Sequence, residues 1–253
     1  MVIEGLEISA VMLLTLFALA FVAGYLDTLV GGGGLITIPA LLAAGLSPLA
    51  ALATNKLQAV GGSGTATVSL WLKGQFDLTE VGWLMFSAFV GSLLGTLAVQ
   101  QIDAEALHFI VPSVVVVIAI YFIVMPSVDG SHRAERLTKT QYGLSAVPAI
   151  GAYDGMFGPG TGSFFVLAGS ALRGQDIVRA TKFAKPLNFA TNAASLTVFI
   201  YYAQVLWAVG FMMMLGQFLG ARLGARRLMT IDPSVLRYLV IGLCVVMLIS
   251  IFW

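Results

Sequence analysis

The chain has 253 residues, 59% hydrophobic and 10% charged, with a mean hydropathy of +0.96. Soluble domains carry roughly 25% charged residues, so this composition excludes a soluble globular protein and leaves no room for a sizeable soluble domain beside membrane spans. A net charge of +1 points to neither nucleic acid nor a strongly acidic partner.

Apolar segments run at about 8–30, 34–45, 48–71, 81–100 and 106–126. After a polar stretch at Val128–Thr140 they recur at about 141–158, 162–172, 176–202, 204–222 and 234–253. Each half follows the order long, short, long, long, long. The short segments, of about 11 or 12 residues, fall below the ~20 residues of a full span. The expectation is therefore an all-α polytopic membrane protein with about eight full spans and two short broken or re-entrant helices. Residues 1–126 form a first transmembrane repeat, 127–140 a connector and 141–253 a second repeat. No Lys or Arg precedes Lys56, so the first run lacks the basic region of a signal peptide and is read as a retained span. Cys244 is the single cysteine; it can form no intrachain disulfide and reads as a core thiol.

Basic residues set the orientation. Arg222, Arg226 and Arg227, then Arg133, Arg136 and Lys139, then Arg173 and Arg179 place three loops in the cytoplasm. The link with Asp103 and Glu105 and the N-terminus with Glu4 and Glu7 read as external. Threading ten segments through these assignments puts both termini outside. Five segments per half is odd, so the repeats have inverted topology. Lys56 is the one basic residue expected away from the cytoplasmic face.

A repeat at the residue level supports the division. Shifted by 127 positions, Gly24 falls on Gly151, Asp27 on Asp154, Gly31 on Gly158, Gly33 on Gly160, and Ala53-Thr54 on Ala180-Thr181. Each copy sets a carboxylate and a glycine cluster inside an apolar run, which a lipid-facing surface does not tolerate. Paired interruptions in two halves point to a transporter's binding site. Gly31, Gly32, Gly33 and Gly34 open one short segment; Gly158, Gly160, Thr161 and Gly162 open the other. A helix N-terminus offers free N–H groups and about half a positive charge, and glycine lets an oxyanion approach the backbone. The competing reading is that the glycines only permit tight helix crossing.

Thr54, Asn55, Lys56 and Gln58 form a polar cluster in the first half. Thr181, Lys182, Lys185, Asn188 and Asn192 occupy the matching region of the second, the last four spaced along one helix face. Such a stripe should face a cavity and supply charge to an anion. The bland alternatives are interfacial anchoring or snorkelling for the lysines and interhelical bonds for the asparagines. Asp27 and Asp154 read either as coupling or gating groups of a proton-coupled carrier, or as caps and lysine partners. Gly91-x-x-x-Gly95 and Gly216-x-x-x-Gly220-x-x-x-Gly224 serve close helix packing or, alternatively, a homodimer face.

Enzyme readings find little footing. His108 and His132 are the only histidines. No cluster has metal-ligand spacing, no serine has a plausible base, and no nucleotide loop is present. Met212-Met213-Met214 reads as packing. No catalytic residue, metal or cofactor is expected.

Gly24–Pro39 with Ala53–Gln58, Tyr153–Phe164 and Gly216–Arg222 resemble the TauE/SafE family of sulfite and organosulfonate exporters over nearly the whole chain. The resemblance implies a bacterial inner-membrane carrier of small sulfur-containing anions such as sulfite, sulfonates or sulfoacetate. A pyramidal or tetrahedral anion rich in acceptor oxygens suits two facing helix N-termini. The expected mechanism is alternating access driven by the proton gradient or the anion's own charge. An anion channel built on the same site and a non-transport membrane scaffold are the rival readings.

Overall fold

The side chains of Ser47, Asp77, Thr138 and Asp176 start four of the helices. A computed structural model describes residues 9–29, 31–124 and 134–227, with backbone alone at 2–3, 6–7 and 122–123. The expected segment at about 234–253, with Cys244, and the connector residues His132 and Arg133 lie outside the described residues. Ten helices are described: α1 (Ala10–Leu29), α2 (Gly34–Ala43), α3 (Pro48–Leu72), α4 (Leu78–Val99), α5 (Ala104–Val124), α6 (Lys139–Leu144), α7 (Ala146–Met156), α8 (Thr161–Arg173), α9 (Ile177–Tyr201) and α10 (Trp207–Arg227). A two-residue ladder, β1 (Val2–Ile3) with β2 (Leu6–Glu7), precedes them and is the one departure from an all-α chain among the described residues.

The side chains of Ser47, Asp77 and Asp176 accept from backbone N–H groups of the first turns of α3, α4 and α9. Thr138 and Gln141 close a capping box at α6. The run expected at 141–158 is not one helix. It breaks at Ser145, whose φ −122 and ψ −79 leave the helical region. Pro148, three residues on, has no N–H to return to the Leu144 carbonyl.

Among the described residues, α1, α4, the first 18 residues of α5 and α10 are long and apolar enough to cross a membrane. Helices α3 and α9, 25 residues each, have the length of a span, about 37 Å, but carry buried polar side chains in their middles. Helices α2 and α8, with 10 and 13 residues, are too short. Apolar side chains such as Leu14, Phe86, Leu94, Phe109 and Leu215 stand exposed on the outside, as a lipid-facing surface requires.

The two halves exchange partners. Helix α1 packs along α10, and α7 along α4, while α3 and α9 cross at the centre with α2 and α8 against them. Glycines make the exchanged contacts. Gly216, Gly220 and Gly224 sit on the backbone of Phe17, Phe21 and Tyr25; Gly91 and Gly95 sit on Pro148 and Ala152. These glycine faces are thus filled within the chain and are not open to a second copy. A side chain at Gly220 would overlap the Phe21 carbonyl and come within 2.9 Å of the Tyr25 nitrogen. Because backbone cannot step aside, Gly220→Leu is expected to cost about 3 kcal/mol, read as a lowered unfolding temperature in detergent.

The register between the halves also slips. Helices α2 and α8 start 127 positions apart, but α3 and α9, with N-caps Ser47 and Asp176, stand 129 apart. Lys56 therefore corresponds to Lys185, where the single shift of 127 paired it with Phe183.

One end of the bundle gathers Lys73, which donates to the Ala225 carbonyl, Arg179 paired with Glu80, and Arg173 paired with Glu135. Lys185, grouped by sequence with the cytoplasmic-face lysines, is instead fully buried at the centre.

Candidate functional site

The glycine runs interrupt the chain where α1 gives way to α2 and α7 to α8, and the fold brings the two breaks into contact. Gly31 has φ +90, a conformation L side chains rarely adopt. Its carbonyl accepts from both the N–H and the hydroxyl of Ser163, at 3.1 and 2.8 Å. Gly34 packs on Pro159, and Gly160, at φ +77, turns the chain into α8. The N-termini of α2 and α8 therefore lie side by side. Most of the N–H groups at these two ends find local acceptors: Leu35 and Ile36 donate to the Gly32 and Gly33 carbonyls, and Thr161 to the Gly158 carbonyl.

Asp27 Oδ1 accepts from the Gly33 N–H at 3.0 Å, satisfying another of these donors. Each buried lysine reaches across to the other half. Lys56 donates to the Asp154 carbonyl at 2.5 Å and pairs with its Oδ2 at 2.9 Å. Lys185 donates to the Asp27 carbonyl at 2.5 Å. Those carbonyls lie in the last turns of α7 and α1, where backbone acceptors go unpaired and the helix end is negative, so both lysines act as C-terminal caps. Lys56 and Asp154 are each 1% exposed. Asp154 Oδ2 has no aligned hydrogen bond among the described residues beyond this ion pair.

Between these groups lies a cavity of about 20 Å³, lined by Asp27, Gly34, Asn55, Ala59, Asp154, Gly158, Gly160, Thr161, Gly162, Asn188, Asn192 and Gln217. That is room for about one water. Asn55 Oδ1 accepts from the Thr37 hydroxyl at 2.6 Å and the Gln58 amide at 2.8 Å, which orients its NH₂ group. Asn192 donates to the Asn188 carbonyl at 2.7 Å.

Of the residues expected from sequence, Asp27, Gly34, Asn55, Asp154, Gly158, Gly160, Thr161, Gly162, Asn188 and Asn192 share this cavity. Gly31 and Gly33 build the junction behind it, Gly32 meets only Leu35, and Lys56 and Lys185 stand beside it as caps. Thr181 bonds back to the Ile177 carbonyl of its own helix. Lys182 does not join: it lines an open depression with Gln75, Glu80, Asp176 and Arg179.

Two lining residues were not expected. Ala59 carries no chemical signal. Gln217 does, as a lone amide in an apolar stretch of glycine-spaced helix. It is buried, its Oε1 has no partner among the described residues, and it fills space left by Gly24 and Gly62.

A bundle of apolar helices around two broken helices and a polar, lysine-flanked centre defines a membrane transporter. The sequence profile of the sulfite exporter TauE/SafE family matches residues 16–251, and the chain belongs to that family. It is 42% identical over 236 residues to a probable membrane transporter protein of Haemophilus influenzae, covering 93% of this chain and 92% of that one. It is 42% identical over 240 residues to the probable membrane transporter protein YfcA of Escherichia coli K12, covering 95% and 89%. The probable membrane transporter protein ORF9 of a Sinorhizobium species is 42% identical over 226 residues, covering 89% and 87%. These are the names of transporters, not of enzymes. No solved structure matches the chain.

Proposed function

We propose that this protein is a secondary carrier that exports small sulfur-containing oxyanions, sulfite or organosulfonates, across the bacterial inner membrane. The observation that carries the reading is the meeting of the α2 and α8 N-termini at a polar cavity. The positive helix ends, with Gly34 and Gly162 in the lining, and the side-chain amides of Asn55, Asn188, Asn192 and Gln217 meet there. Three buried charges, Lys56, Asp154 and Lys185, and the half-buried Asp27 flank it, and because the two lysines balance the two aspartates, the cavity takes an anion without a prior excess of negative charge.

The partner exchange between halves and the cross-bonded lysines support two inverted repeats, 1–126 and 141–253, joined by a cytoplasmic connector at 127–140. Eight full spans follow from α1, α3, α4, α5, α6 with α7, α9, α10 and the expected last segment, with α2 and α8 as the short pair and both termini outside. A cavity that holds about one water does not admit a sulfonate until α2 and α8 part. That favours alternating access over a continuously open channel. Asp27 and Asp154, tied to the ends of α1 and α7, are placed to couple a proton to that movement.

The test is uptake of sulfite and sulfoacetate into proteoliposomes, with taurine, sulfate, phosphate and acetate as competitors. Asn188→Leu removes a cavity amide and fills its space, and is expected to lower kcat/KM at least about a hundredfold while the protein still unfolds cooperatively. Equal rates in Asn188→Leu would remove the site from this cavity. Electrical conductance far above carrier turnover would make the protein a channel.

A further inference from the structure

A second polar pocket lies away from the central one, at the basic end of the bundle, enclosed by α4, α6, α8 and α9. Its volume of about 120 Å³ compares with about 20 Å³ at the centre. Lys139, Arg173 and Arg179 supply three positive charges to its wall, and Glu80 and Glu135 two negative ones. Arg179 pairs with Glu80 at 2.7 Å and lies over the Phe183 ring, 5.4 Å from its centre. Arg173 pairs with Glu135 and also donates to the Leu137 carbonyl. Tyr142 lines the same pocket, is 4% exposed, and has no hydrogen bond from its hydroxyl to any described residue. The phenol therefore stands at the pocket wall as a donor available to a ligand.

We infer that this pocket is a second anion site, the port through which a small oxyanion passes between the basic face and the central cavity, and that the Arg179–Glu80 and Arg173–Glu135 pairs are its latches. The inference rests on the carrier reading of the central cavity. Both pairs are partly solvent-exposed, and exposed pairs exchange partners at little cost. Two of the oxygens of a sulfonate or sulfite can accept a guanidinium's forked N–H pair, as the two oxygens of the displaced carboxylate do. Tyr142 then donates to a further oxygen.

Displacement has a mechanical consequence. The Arg179 pair ties α9 to α4, and the Arg173 pair ties the end of α8 to the connector. Helix α8 carries Arg173 at one end and the cavity-lining Thr161 and Gly162 at the other, about 18 Å apart. Helix α9 carries Arg179 near its start and Asn188 and Asn192 deeper in. An anion that takes the arginines thus frees two of the helices that wall the central cavity. Basic residues placed only to meet headgroups would point outward; these line a pocket with Phe165 and Leu187.

The test uses sulfoacetate and sulfite uptake in vesicles sorted by orientation, with rates measured from each face. Arg173→Gln with Arg179→Gln is expected to raise KM from the basic face roughly tenfold, to flatten its dependence on salt, and to leave KM from the opposite face unchanged. Glu80→Gln with Glu135→Gln is expected to lower KM from the basic face by releasing the arginines. Unchanged KM in both double variants, or a loss of maximal rate equal from both faces, would overturn the port. If Asn188→Leu meanwhile abolished uptake from both faces, the central site would stand without it. Failure of the wild-type protein to transport either anion would overturn both readings together.

Discussion

Lys56→Met is expected to lower the unfolding free energy of the purified protein by roughly 3–5 kcal/mol. The Lys56 ammonium and the Asp154 carboxylate are both buried, with side-chain exposures of 1% and 2%. Removing the lysine leaves a charge with no compensating partner in a low-dielectric interior. It also uncaps the Asp154 carbonyl in the last turn of α7. Adding Asp154→Asn removes the stranded charge, so the double variant should recover most of the loss. The loss left over reports the carbonyl cap alone. Thermal unfolding of the two single variants and the double variant, analysed as a cycle, checks this. Additive losses would mean that the two side chains do not depend on one another. A Lys56→Met protein of full stability with no anion binding would instead make Lys56 a ligand contact.

Gly31→Ala is expected to cost about 2–5 kcal/mol and to abolish uptake. Two penalties combine at this position. A φ of +90 is strained for alanine, and the added methyl would stand 2.6 Å from the backbone carbon of Gly162 and the nitrogen of Ser163. Neither neighbour is a flexible side chain, so the only relief is separation of α8 from the α2 junction. That separation breaks both Ser163 bonds to the Gly31 carbonyl. Gly32→Ala is the internal control, since its methyl meets only the Leu35 side chain at 3.6 Å. Paired uptake and unfolding measurements decide it: if Gly32→Ala is as damaging as Gly31→Ala, loop flexibility and not the close approach is what matters.

Much of the outline is legible in the chain alone. Breaks at glycine runs, span lengths and the polar stripe on α9 are local properties, and they locate α2, α8 and most of the cavity lining. Asp27 and Asp154 are legible too, although the structure divides their expected structural roles: one caps the neighbouring short helix, the other pairs with a lysine. Lys182 is misplaced by sequence because the stripe Lys182, Lys185, Asn188 and Asn192 runs the length of a helix that leaves the centre. Its first residue emerges among Glu80, Asp176 and Arg179, while Lys185 goes inward.

The equivalence of the two lysines is hidden for a geometric reason. Two residues of slip rotate a helix face by about 200°, so the repeat that aligns the glycine clusters puts Phe183 where Lys185 belongs. Gln217 escapes notice in the sequence because a single amide in an apolar helix gains meaning only when the glycines of α1 and α3 are seen to make room for it.

Composition, segment lengths and the doubled glycine breaks thus determined a membrane protein with two interrupted helices, because hydropathy and backbone freedom are written residue by residue. The tertiary structure alone decided that each half caps the other's broken helices, that the glycine stripes close within one chain, and that the cavity is nearly shut. Those outcomes depend on which helices cross and at what register, and no local stretch of chain carries that information.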